Sequence, residues 1–168
     1  MRKKEREIID LDEIEGIIQK AKVCRVAFAN GHEPYIVPVC FGYERACPGS
    51  TESPRSEQSR RGVLYVHGAD AGRKLDIMKK NNKVCFEIDE DVVILPGEKA
   101  CSFAMKYRSV VGIGKAAVLK KDEDKLHGLN VIMKHYAGHE YDFTKKELDS
   151  VLVWKVDIDS LTGKKARY

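Results

Sequence analysis

At 168 residues, 43% of them hydrophobic and 33% charged, the chain has the length of one domain with a real core and is too short for two substantial ones. Its net charge of +4 is scattered and too small to mark a polyanion partner, so nucleic acid is not expected. No apolar run reaches the length of a membrane span, and the basic start MRKKEREIIDLDEIEGII has acidic residues where a secretory apolar segment would lie, which leaves the cytoplasm as the expected location.

From Asp10 to Cys24, Ile14, Ile17, Ile18 and Ala21 recur at helical spacing, behind Asp10 as N-cap and Glu13 three residues on. The apolar runs Val23–Ala29 and Pro34–Glu44 flank Asn30-Gly31-His32-Glu33, where Asn-Gly predicts a hairpin of two antiparallel strands. Pro38, inside the second run, cannot donate a ladder bond and requires an edge, a bulge or a ligand lying against it. The stretch from Arg45 to Arg61 has no periodicity and reads as a polar, mobile surface loop at about 45–62.

A strand over Val63–His67 then ends in His67-Gly68-Ala69, and a helix from about Ala71 to Lys80 carries Arg73 and Lys74 in its first turn. Small residues at a strand end admit a ligand to the backbone, and a helix start with cations suits a phosphate. Asn81-Asn82 stops that helix, Lys83–Asp89 forms a strand, and an acidic, then apolar connector over Asp89–Gly97 leads into a long strand over Cys101–Val118. This strand bears Lys106, Arg108 and Ser109 on otherwise apolar sequence, so two cation-bearing segments in one small domain predict one anionic ligand between them. A helix over Asp122–Ala137, with Leu126, Leu129, Ile132 and Met133 on one face, stops at Gly138, and Val151–Ile158 supplies a last strand with Trp154 as core or interface. So many strands in so short a chain predict a mainly β fold, a small antiparallel barrel with flanking helices.

Five cysteines, at 24, 40, 47, 85 and 101, include no close CxxC pair and are expected to be mostly reduced, buried strand residues. His135 and His139 have the spacing of a metal pair, with Glu140 and Asp142 nearby, but Gly138 interrupts the shared helical face and the acid of an HExxH motif is missing, so no metal site is expected. Taken alone, Arg73 and Lys74 could equally be a solvated helix face, and His67 a hydrogen-bonded structural residue.

Three segments, YIVPVCFGYE, the HGA turn with Lys74 downstream, and KYRSVVGIGKA, resemble those of the flavin-binding split-barrel proteins related to pyridoxamine 5'-phosphate oxidase, most closely their nitroimidazole-resistance (Nim) branch. The resemblance covers nearly the whole chain; the flanking helices match only in pattern, and the Arg45–Arg61 segment is longer and more polar than the usual link. It implies an antiparallel split barrel, one domain over residues 1–168, and a homodimer with FMN at its interface, FAD being a variant. It further implies a phosphate held by Arg73, Lys74, Arg108 and Ser109, and an isoalloxazine lying along Val37, Pro38 and Val39. His67, with Gly68 and Ala69 in its turn, would stand beside the flavin nearest the substrate, and Tyr107 and Val110 would add ring contacts.

The implied activity is reduction of small electron-poor molecules such as nitroimidazoles. The electrons would come from NAD(P)H bound transiently, since Gly112-Ile113-Gly114 sits inside a strand and not in a dinucleotide turn. A flavin carrier or sensor without turnover and a haem-handling split barrel remain open alternatives.

Overall fold

Period-two alternation of apolar residues, turning to period 3.6 in four places, sets the order of elements. The computed structural model describes residues 4–46 and 61–168, so all but the ends of the predicted 45–62 loop, Cys47 included, lies outside the described residues. The strands are β1 (Glu7–Ile8), β2 (Cys24–Asn30), β3 (Glu33–Val39), β4 (Phe41–Glu44), β5 (Val63–Gly68), β6 (Lys83–Leu95), β7 (Ala104–Val118) and β8 (Leu152–Ala166). The helices are α1 (Leu11–Lys20), α2 (Arg73–Lys80), α3 (Asp122–Ala137) and α4 (Lys145–Ser150).

One sheet runs in the order β3-β2-β6-β7-β8-β5-β4, with β1 added alongside β8. Every pairing is antiparallel. The two ends of that order, β3 and β4, are consecutive in the chain with only Cys40 between them. The sheet therefore curls until its ends meet at one residue, which makes a split barrel. Val26 and Phe28, Phe86 and Ile88, Val110, Trp154, Val156 and Ile158 point inward from four strands, and α1 closes one end with Ile14, Ile17 and Ile18. Gly112 exists to make room: a Cβ there would come within 2.1 Å of the buried Phe86 ring.

The predicted hairpin forms, with Asn30 opposite Glu33 and Gly31 at φ 61°, the turn geometry that needs glycine first. Asp10 caps α1 by accepting from the Asp12 N–H at 2.9 Å. Asp122–Ala137 is helical as expected, closed by Gly138 at φ 79°.

Several expectations need correction. The single strand over 34–44 is two strands, because the chain changes partners at Cys40. The helix expected over 10–24 ends at Lys20, where Ala21 turns extended. The connector 89–97 is largely strand, since β6 continues to Leu95 past an irregularity between Glu90 and Val93. The last strand extends eight residues further than 158, to Ala166. The short β1 and α4, the latter opened by a Thr144–Glu147 capping box, were not foreseen. Cys24 is buried, but Cys85 is only half-buried and Cys40 and Cys101 are exposed.

Candidate functional site

The first half of the site lies where the barrel splits. Val37 and Val39 pack half-buried against the core, while Pro38 between them is exposed opposite Arg25 of β2. Their strand is the last of the sheet, so one backbone edge of β3 has no strand partner among the described residues. Phe41 pairs with Val66; carried one residue on, that register sets Cys40 beside His67. His67 is exposed at the end of β5, opposite Val153 of β8, and its side chain makes no hydrogen bond among the described residues; Ala69 beyond it is exposed too. Lys74 folds back over this turn, its Nζ 3.4 Å from where a Cβ on Gly68 would stand. Arg73 reaches across the split to Glu33 and lies 5.0 Å over the Tyr35 ring. Its charge is thereby engaged, whereas Lys74 makes no ion pair among the described residues.

The second half stands on β7. Strand alternation puts Arg108 and Ser109 on opposite faces. Arg108 turns inward with a 2.8 Å ion pair to Glu90 and Tyr168 stacked 5.1 Å away. Lys106 beside it meets Asp91 at 3.6 Å and the same Tyr168 ring at 4.1 Å. Tyr107 and Ser109 face outward, opposite Ala166 and Lys164 of β8. The Val110 side chain is fully buried in the core, which leaves only its backbone for any ligand.

The two halves do not meet within one chain. Arg73 stacks on Tyr35, and the register runs from Tyr35 through Phe28 and Val84 to Gly114 of β7. From Gly114 back to Arg108 is six residues, a strand path of about 20 Å at roughly 3.3 Å per residue. The expected convergence of Arg73 and Lys74 with Arg108 and Ser109 on one anion is therefore not made by a single copy.

A cluster missed in the sequence lies beside Pro38: Arg25 bridges Glu87, at 3.2 Å, and Asp89. Burial, and then the Asp89 charge, push the Glu87 carboxyl up against the pull of Arg25. Its only sequence signal was an arginine at an outward position of an otherwise apolar strand. A cavity of about 410 Å³ lies elsewhere, between α1, β4 and α3, where His127 meets Glu44 at 3.0 Å. The metal-like spacing at 135–139 is spent on backbone, His135 on the Ala21 carbonyl and His139 on that of Ala137. Among the described residues no group of three or more His, Cys, Asp or Glu could hold a metal, and no helix is long and apolar enough to cross a membrane.

An antiparallel sheet curled until its ends meet at one strand edge defines the fold class, a split barrel. A family model described as pyridoxamine 5'-phosphate oxidase matches residues 10–165. The chain belongs to that family. It is similar over 95% of its length to a candidate 5-nitroimidazole antibiotic resistance protein from Bacteroides thetaiotaomicron VPI-5482, with 31% identity, a TM-score of 0.76 and 86% of that chain covered. The fold is also shared with the flavocytochrome Anf3 from Azotobacter vinelandii, at 17% identity, TM-score 0.72, and 99% and 72% of the two chains covered. The FAD and heme binding protein from Mycobacterium smegmatis shares it too, at 15% identity, TM-score 0.74, and 97% and 74% covered. No curated protein matches the chain in sequence.

Proposed function

We propose that this protein is an FMN-binding reductase of small electron-poor molecules such as nitroimidazoles, working as a homodimer with reduced nicotinamide as electron source. The observation that carries this reading is the backbone edge of β3, without a strand partner among the described residues, beside His67 and Lys74. A flavin fits these residues: backbone N–H and C=O groups around Val37–Val39 suit its pyrimidine edge, and the Lys74 ammonium suits its phosphate. When bound, the flavin supplies the hydride chemistry. The chain fixes the ring against a rigid strand, leaves one face open at exposed His67, and offers that imidazole as a hydrogen-bond partner to the substrate.

Two copies answer the distance between the half-sites, since a two-fold axis can bring the outward face of β7, which carries Ser109, from one copy against Arg73 and Lys74 of the other. The outer sheet face supports such pairing. Ile36, Val111 and Ile113 are 60%, 40% and 40% exposed there, beside an apolar groove of about 410 Å³ between Ala27, Ala29, Pro34, Cys85 and Ile113. The likeness to the Bacteroides protein supports the substrate class. Heating purified protein, chromatographing the released pigment and following NADPH-driven loss of a nitroimidazole tests the reading. FMN with accelerated loss is expected; FMN without acceleration leaves a carrier, and a Soret band with no flavin refutes it.

A further inference from the structure

Resting on that flavin reading, we infer that Lys164 of β8, with Tyr107 and Ser109 of β7, is the anion subsite that receives the phosphate monoester, in place of Arg108. The strand register sets Ser109 directly opposite Lys164, and Tyr107 lies diagonally on the same outward face. The Lys164 ammonium donates to the Tyr107 hydroxyl at 2.5 Å and lies 5.1 Å from its ring. That bond uses the tyrosine oxygen as acceptor and leaves its proton to spend elsewhere. Ser109 makes no side-chain hydrogen bond among the described residues, so two hydroxyl donors and the remaining ammonium hydrogens share one patch.

Charge separates the candidates. Of Lys106, Arg108, Lys164 and Lys165, the first two are paired with Asp91 and Glu90 and the last with Glu13 at 3.1 Å. Lys164 alone has no carboxylate in ion-pair reach among the described residues. Two acids face the patch from the flanking strands: Glu7, opposite Lys164 on β1, and Asp89, opposite Ser109 on β6 and already held by Arg25. A phosphate dianion reaching Arg108 would have to displace Glu90 and the Tyr168 ring, whereas at Lys164 it meets unspent donors. Lys164 is thus the counterpart of Lys74, the other cation of the candidate site that makes no ion pair among the described residues.

Titrating flavin-free protein with FMN and with riboflavin reads phosphate recognition as the ratio of the two dissociation constants. Lys164→Met is expected to lose about tenfold or more of the FMN preference with riboflavin binding unchanged, Lys164→Arg to keep most of it, and Arg108→Met to stay within about twofold of wild type. A wild-type ratio in Lys164→Met, or its collapse in Arg108→Met, overturns the assignment. So does a Lys164→Met protein that keeps the ratio but needs more NADPH for half-maximal rate, because the anion is then the dinucleotide's. Should wild type bind neither flavin, the functional reading fails by itself. The subsite is then read from Tyr107 ring resonances on adding inorganic pyrophosphate: a shift in wild type that is absent from Lys164→Met supports it, and no shift refutes it.

Discussion

His67, Lys74 and His135 show how differently three polar side chains are used in one small barrel. Lys74 sits over the Gly68 turn with no ion pair among the described residues, so Lys74→Ala should weaken FMN retention roughly 10- to 150-fold, the equivalent of about 1.5–3 kcal/mol for a lost charge-assisted bond, as read by titration of flavin-free protein. The His67 side chain is exposed and makes no hydrogen bond among the described residues; His67→Ala should keep the pigment and slow turnover on the order of 100-fold, and loss of pigment with normal kinetics in the remaining holoprotein would make it structural. His135 is a fold residue, ring to ring with Phe41 at 4.6 Å and donating from Nε2 to the Ala21 carbonyl at 2.8 Å. Burial, with Lys22 nearby, holds its value below the ordinary imidazole range against the opposing pull of the carbonyl. The unfolded chain therefore binds the proton more readily, so this contribution to stability is complete above about pH 6.5 and is lost as pH falls toward the lower folded value. Thermal melts at about pH 7.5 and about pH 5 should show a larger drop for wild type than for His135→Gln.

Among the elements, those whose signals are local were legible and those shaped by distant packing were not. The Asn30-Gly31 turn, the Asp10 cap and the Gly138 stop are written in adjacent residues, and Pro38 announced a strand edge. The continuation of β8 was hidden because its register slips between Ile158 and Ser160, so the inward positions pass from 154, 156 and 158 to 161 and 163 and the apolar alternation breaks there; Gly163 then adds no apolar signal, since a Cβ on it would meet Ile8 at 2.8 Å. Unread as strand, Lys164 could not be matched with Ser109. The extension of β6 was masked in the same way by Asp91, whose φ of 56° interrupts the period. The opposite faces of Arg108 and Ser109 follow from alternation alone, but their carboxylate and lysine neighbours come from strands remote in sequence. Tight contacts between elements carry their own prediction. A Cβ on Gly42 would come within 2.6 Å of the Val131 carbonyl of α3, and one on Gly112 would enter the Phe86 ring, so alanine at either position should cost about 1–3 kcal/mol, seen as a lower urea midpoint at unchanged slope.

For the whole molecule, two copies are the simplest way to bring together half-sites that one barrel holds apart. Replacing Ile36 and Ile113 by Glu should give monomers by light scattering and empty the flavin site although Lys74 is untouched. Mixing equal amounts of Lys74→Ala and Lys164→Met chains should restore pigment to about a quarter of the sites, because random pairing makes about half of the dimers mixed and each mixed dimer has one intact site and one doubly altered. The protein also contains its own lamp. Trp154, the only tryptophan of the chain, is sealed from water in the barrel with Phe28 6.1 Å away, so its emission should be blue-shifted in the native state and move to the red only when the core opens. A yellow chromophore docked on the outside would dim that light by energy transfer without changing its colour. Brightness then reports occupancy and wavelength reports folding, in one cuvette and without a label.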